Sequence, residues 1–164
     1  MVQKVAGYWD LVEPIWEEVS FHGTSDAFLS AFNMLPEAVG DLFAAHWMVS
    51  EVENGAFPQF FSNATGMLAP EAVAALERIG LEDAAHIAGS AMDYFGPAYP
   101  RAREERAGLI DWVWEEEMTE EREAELEAML DLSEQFLDAI GKDRCRFEAA
   151  ADAYAQRHAT GGKR

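Results

Sequence analysis

Cysteine is almost missing from this 164-residue chain, and the single Cys145 excludes an internal disulfide and any multi-cysteine metal site. Positive charge is scarce: 12 Lys and Arg stand against 31 Asp and Glu. No basic cluster with interleaved aromatics marks a nucleic-acid binder. No stretch approaches the roughly 18–20 uncharged apolar residues that a membrane-crossing helix needs. Met1–Asp10 carries one Lys and no apolar run, so no secretory leader is expected and the sequence reads as cytoplasmic. Glycine-rich phosphate loops and dinucleotide fingerprints are missing as well. Nowhere does strict apolar–polar alternation run long enough to argue for a sheet.

What the chain does have is an apolar half and an uneven negative field. Hydrophobic residues make up 49% and aromatics 12%, with five Trp, so the acidity decorates a globule with a sizeable core and is not a disordered tail. The net charge is -19. Residues 1–103 hold 14 acids and 4 bases, residues 104–138 hold 14 acids and 2 bases, and residues 139–164 hold 3 acids and 6 bases. One 35-residue stretch therefore carries more than half of the net charge. Such a field repels DNA and anionic membrane and attracts basic partners.

The apolar period is helical nearly throughout, which predicts an all-α fold: a single domain over residues 1–160 with about seven to eight helices, and a disordered tail at 161–164. Val12, Ile15, Trp16 and Val19 predict a first helix ending near Phe21, with Pro14 in its first turn. Ser25 or Asp26 is expected to cap a second helix through Met34. Pro36 opens a third, with Val39, Leu42, Phe43, Trp47 and Val49 inward, stopped by Asn54-Gly55. Pro58 to Asn63 predicts a short helical turn. Pro70–Ile79 and Leu81–Phe95, punctuated by Gly80 and Gly96-Pro97, predict an antiparallel pair. Helices near 104–117, 120–140 and 144–158 complete the expectation.

Charge in the acidic region is ordered. Glu116, Glu120, Glu123, Glu127, Asp131, Glu134 and Asp138 recur at three or four residues, which keeps them on one side of a helix. Met129, Ser133, Phe136, Leu137 and Ile140 fall on another side. Like charges at these spacings cost about 0.2–0.5 kcal/mol per pair, and such neighbours lie about 5–6 Å apart, comparable to successive phosphates along one DNA strand. From Glu120 to Asp138 the line spans about 27 Å, against about 34–36 Å for one DNA turn. Two interpretations are open: a solvated face that keeps the protein soluble, or an imitation of a phosphate strand that binds a basic partner. Thr119 is a candidate helix break that would detach Glu116, and Arg122 interrupts the field.

A second constellation runs from Glu51 to Gly66. Glu51, Asn54, Gln59 and Asn63 alternate with Phe57, Phe60 and Phe61. The polar residues either satisfy helix ends, with Gly55 and Gly66 supplying backbone freedom, or converge on a ligand-binding or enzymatic pocket. Metal chemistry has little to build on. A carboxylate-bridged bundle needs a Glu-x-x-His on each of two helices, whereas Asp83-x-x-His86 is one imperfect copy, and His46 precedes Glu51 and Glu53. His22 and His158 read as surface residues. Cys145 has no His beside it. Neither a cofactor nor a metal is expected, nor an enzymatic activity.

The run Glu-Val-x-Asn-Gly-x-Phe-x-Gln-Phe-Phe-x-Asn from Glu51, with Ala75–Gly80, the 84–96 helix, the Leu130–Phe136 segment and the Tyr154 helix, resembles the bacterial DNA mimic protein 19-like family over about residues 36–158. The chain departs from the family pattern at Ala56, where glycine usually repeats, and at Glu53, where Asn is common. The resemblance implies an all-α, dimeric acidic protein that occupies the DNA-binding surface of a transcriptional regulator. Trp112 and Trp114, beside the acidic run, are candidates for a homodimer interface.

Overall fold

A computed structural model describes residues 7–160, and the tail expected at 161–164 lies outside the described residues. Helices dominate, and no strand occurs among the described residues. Among the described residues there are eight α-helical segments: α1 (Trp9–Val12), α2 (Ser25–Phe32), α3 (Glu37–Ser62), α4 (Ala69–Ile79), α5 (Glu82–Met92), α6 (Arg103–Ile110), α7 (Glu120–Ile140) and α8 (Cys145–Thr160). Short 3-10 turns join several of them.

Turn chemistry sets the boundaries. Thr24, one residue before the expected cap, accepts a hydrogen bond from the Ala27 amide (3.2 Å) and opens α2. Gly80 ends α4 in the left-handed conformation (φ 99°). Thr119 accepts from the Arg122 amide (3.3 Å) and begins α7, and Gly141 (φ 83°) ends it. The predicted first helix is corrected: only Trp9–Val12 is α-helical, and a 3-10 turn at Glu13–Ile15 follows. Val12 and Val19 are buried as that pattern required, so burial follows the apolar spacing even though the backbone does not complete the helix. The predicted 104–117 helix stops at Ile110 and gives way to a 3-10 turn at Asp111–Trp114.

Helix α3 is the axis of the fold. Helices α1, α4, α6, α7 and α8 all pack on it, and α7 also packs on α5. Its Leu42, Phe43, Met48, Val49 and Val52 are buried against Leu76, Ile110, Phe136, Phe147 and Ala155 of the surrounding helices. Asp41 ties three elements together: Arg78 of α4 donates to both carboxylate oxygens, and the Tyr154 hydroxyl of α8 donates to Oδ2 (2.6 Å). The Tyr8 amide donates to Asp152 of α8 (2.8 Å), anchoring the N-terminal segment.

Candidate functional site

Helix α7 presents its carboxylates outward. Glu120, Glu123, Glu127, Asp131, Glu134 and Asp138 are all exposed along it, while Met129, Ser133, Phe136, Ala139 and Ile140 are buried on the opposite side. Glu116 is exposed but lies before the Thr119 cap, outside the helix. Among the described residues none of these seven carboxylates has an ion-pair partner. Arg122 is directed elsewhere, 3.7 Å from Glu125 and with its guanidinium 4.4 Å from the centre of the Trp112 ring. The six helical carboxylates thus form one line on a helix whose other side is in the core.

The Glu51–Gly66 run closes on itself. Glu51 is 8% exposed. Its Oε2 accepts from Gln59 Nε2 and Asn63 Nδ2 (both 2.9 Å), and its Oε1 accepts from Thr65 Oγ1 (3.0 Å). Asn54 is exposed and takes no part in this network. Of the four residues expected to converge, Glu51, Gln59 and Asn63 do, and Thr65 takes the place of Asn54. Phe57, Phe60 and Phe61 are fully buried, with Phe57 5.2 Å from Phe136 of α7 and Phe61 5.0 Å from Phe95 between ring centres.

Below the network sits Arg106, whose side chain is completely buried. Its Nε donates to the carbonyl of Phe61 and its Nη2 to that of Asn63 (both 2.9 Å), while Nη1 donates to the carbonyls of Pro100 (3.2 Å) and Arg101. The C-terminal carbonyls of a helix have no partners of their own, and a cation there also meets the negative end of the helix dipole. Burial lowers the Arg106 pKa from its ordinary value, opposed in part by Tyr99. A Cβ on Gly66 would come within 2.5 Å of the Phe60 carbonyl and 3.1 Å of Arg106 Nε, so only glycine fits. Tyr99 closes the layer by donating to the Gly66 carbonyl (2.6 Å). Arg106 gives no signal in sequence, because a lone Arg among Glu104 and Glu105 reads as surface.

The expected stop at Asn54-Gly55 is a kink. Gly55 (φ -159°, ψ 27°) and Ala56 (φ 64°, ψ -178°) leave helical geometry, after which the helix resumes to Ser62. Ala56 adopts the backbone that the family pattern serves with glycine, a region that costs a non-glycine residue about 1–3 kcal/mol. The Phe57 amide at this break donates to Ser133 Oγ of α7 (3.0 Å), and Ser133 in turn donates to the Met129 carbonyl (2.8 Å). Ala56→Gly is expected to raise stability by about 1 kcal/mol, since strain relief exceeds the roughly 0.5–1 kcal/mol entropic penalty of glycine. Urea unfolding checks this, and an unchanged or lower midpoint would show that Ala56 sits there without strain.

His46 is buried between Tyr8, Trp9 and Trp16, with its ring centre 5.1 Å from Trp9, and hydrogen-bonds the Tyr8 hydroxyl through Nδ1 (3.0 Å). Burial pulls its pKa down to about 4, aided by the Arg144 charge. The unfolded chain then binds more protons below about pH 6.5, so this part of the stability is complete above that value and is lost as the pH falls to about 4. Between about pH 7.5 and pH 5 the protein should lose about 2 kcal/mol more than the His46→Gln variant. Parallel losses in the two proteins would remove His46 from the acid sensitivity. His86 is exposed in a groove between α4 and α5 with Glu77, Glu82 and Asp93, and among the described residues no three His, Cys, Asp or Glu gather as metal ligands.

Comparison with known proteins places the chain in a family. No curated protein and no solved structure is matched by the chain. A family model described as DMP19-like protein matches residues 33–158, a span that takes in the kinked helix, the Glu51 network, Arg106 and the acidic helix α7. The chain belongs to the DMP19-like protein family.

Proposed function

We propose that the protein is a non-enzymatic interaction protein, a DNA mimic whose acidic α7 face binds a basic DNA-binding protein or transcription regulator and competes with DNA for it. The observation that carries this is the line of six exposed carboxylates without ion-pair partners among the described residues, at helical spacing over about 27 Å. Leaving so many like charges together opposes helix formation, and a partner with matching cations offsets that cost. Family membership supports the reading without naming a partner. Exposed charges are screened beyond about 8–10 Å near physiological ionic strength, so binding should weaken steeply with salt.

The test is competition. Protein from the source organism that is retained on the immobilised chain at low salt should include one DNA-binding protein that duplex DNA displaces. Release of only a general set of basic proteins, with no competition by DNA, would reduce the acidic face to a solubility device. Loss of competition on substitution of Gln59 or Asn63, with the α7 carboxylates intact and the fold retained, would move the function to the Glu51 network.

A further inference from the structure

Between α5 and α7 runs a groove of about 200 Å³. Ala91 and Met129 are buried at its floor, Tyr94 and Leu132 are half-buried along it, and Ala128 is exposed on the α7 wall. Small-molecule sites typically hold about 300–1,000 Å³, so this groove suits one or two anchoring side chains of a macromolecule. Beside the groove, the Tyr94 hydroxyl donates to the Leu109 carbonyl and accepts from Trp112 Nε1 (both 3.0 Å). Leu109 is 48% exposed and Trp114, two residues beyond Trp112, is 59% exposed. Large apolar side chains rimmed by polar ones mark protein interaction sites.

The rim is acidic. Glu125 lines the groove, exposed Glu121 lies one turn before it on α7, and exposed Asp93 precedes Tyr94 in the chain. Arg122, the basic residue of α7, is already engaged with Glu125 and the Trp112 ring. A second copy of a chain with net charge -19 would set the same carboxylates against this rim, and an anionic lipid surface would be repelled in the same way.

We propose that the groove docks a basic amphipathic helix of a partner protein, with its apolar residues between α5 and α7 and its Lys and Arg against the carboxylate rim. This rests on the reading that the partner is basic and adds where its apolar anchors go. Ala128 and Leu132 lie roughly a third of a turn round α7 from the carboxylate line, at about 100° per residue, so groove and line can be altered separately.

Two synthetic peptides of about 18 residues, above the roughly 12–15 at which isolated helices become marginal, provide the probe. Both carry the same number of Lys; one has Leu at helical spacing, and the other has Ser in place of Leu. Titrated into the isotope-labelled protein at about 0.15 M salt, the Lys/Leu peptide is expected to bind at least about tenfold more tightly. Its amide shifts should centre on Ala91, Tyr94, Ala128 and Leu132. Ala128→Phe, at an exposed helical position, should fill the groove and remove that preference while melting like the parent protein.

Equal affinity for the two peptides, or shifts centred elsewhere, would overturn the proposal. So would a homodimer that Ala128→Phe dissociates, since the groove would then be a self-interface. Equal binding that is abolished by reversing the α7 carboxylates removes the groove and leaves the acidic-face reading standing. A tenfold preference in a protein that never competes with DNA keeps the groove and removes the mimicry.

Discussion

Arg106→Met should destabilise the protein by about 3–5 kcal/mol, because several carbonyls lose a charged donor together, and should lower the melting temperature by about 10 °C or more. Methionine matches the length and takes the donor from the carbonyls of Phe61, Pro100 and Arg101, while that of Asn63 keeps the Gly66 amide (3.1 Å). Each buried acceptor left unsatisfied costs about 1–3 kcal/mol. Arg106→Lys should fall between, because an ammonium keeps the charge but cannot reach four carbonyls in a planar fork. Denaturant unfolding followed by circular dichroism measures all three proteins. A loss below about 1 kcal/mol for Arg106→Met would mean that water replaces the guanidinium and that the end of α3 does not depend on it.

Reversing Glu120, Glu123, Glu127 and Asp131 to Lys should weaken partner binding by at least about 100-fold, which corresponds to about 2.7 kcal/mol. An exposed ion pair contributes about 0.2–1 kcal/mol. Reversal exchanges attraction for comparable repulsion, so four changes together amount to about 2–8 kcal/mol by the same scale. All four side chains point away from the core, and the fold should persist. Reversing the equally exposed Glu17, Glu18, Glu77 and Glu104 gives a control with the same net charge. Anisotropy competition against labelled duplex DNA separates the two. Equal losses in both variants would make the effect one of overall charge, and unchanged competition in the α7 variant would remove the line of carboxylates from the function.

Much of the architecture was legible because helix ends are written in local chemistry. Gly80, Gly141 and Thr119 stand where the chain turns, and each has the side chain or backbone freedom that its position requires. The all-α expectation follows from the same periodicity. At the N-terminal segment the pattern overstates the helix, because Val12, Ile15, Trp16 and Val19 share a helical period that tertiary burial satisfies without a continuous helix. At the motif, Glu51, Gln59 and Asn63 do meet, but spacing could not foresee that Thr65 would complete the carboxylate's shell or that Asn54 would face solvent. Long-range partners were the least readable. Ser133 meets the Phe57 amide 76 positions away, and Arg106 reaches back across 45 residues to the end of α3. No local pattern records either meeting.

The bond from Phe57 to Ser133 has a kinetic consequence for the acidic helix. Because α7 is fastened at mid-length to a break in the central helix, its charges stand in register before any encounter, and no segment has to order on contact. A preordered charged surface captures an opposite one by long-range steering, with association rates that climb as salt is lowered. Dissociation is then governed by short-range contacts. Changes to the carboxylates should therefore act first on how fast a partner arrives, and changes to the apolar groove on how long it stays.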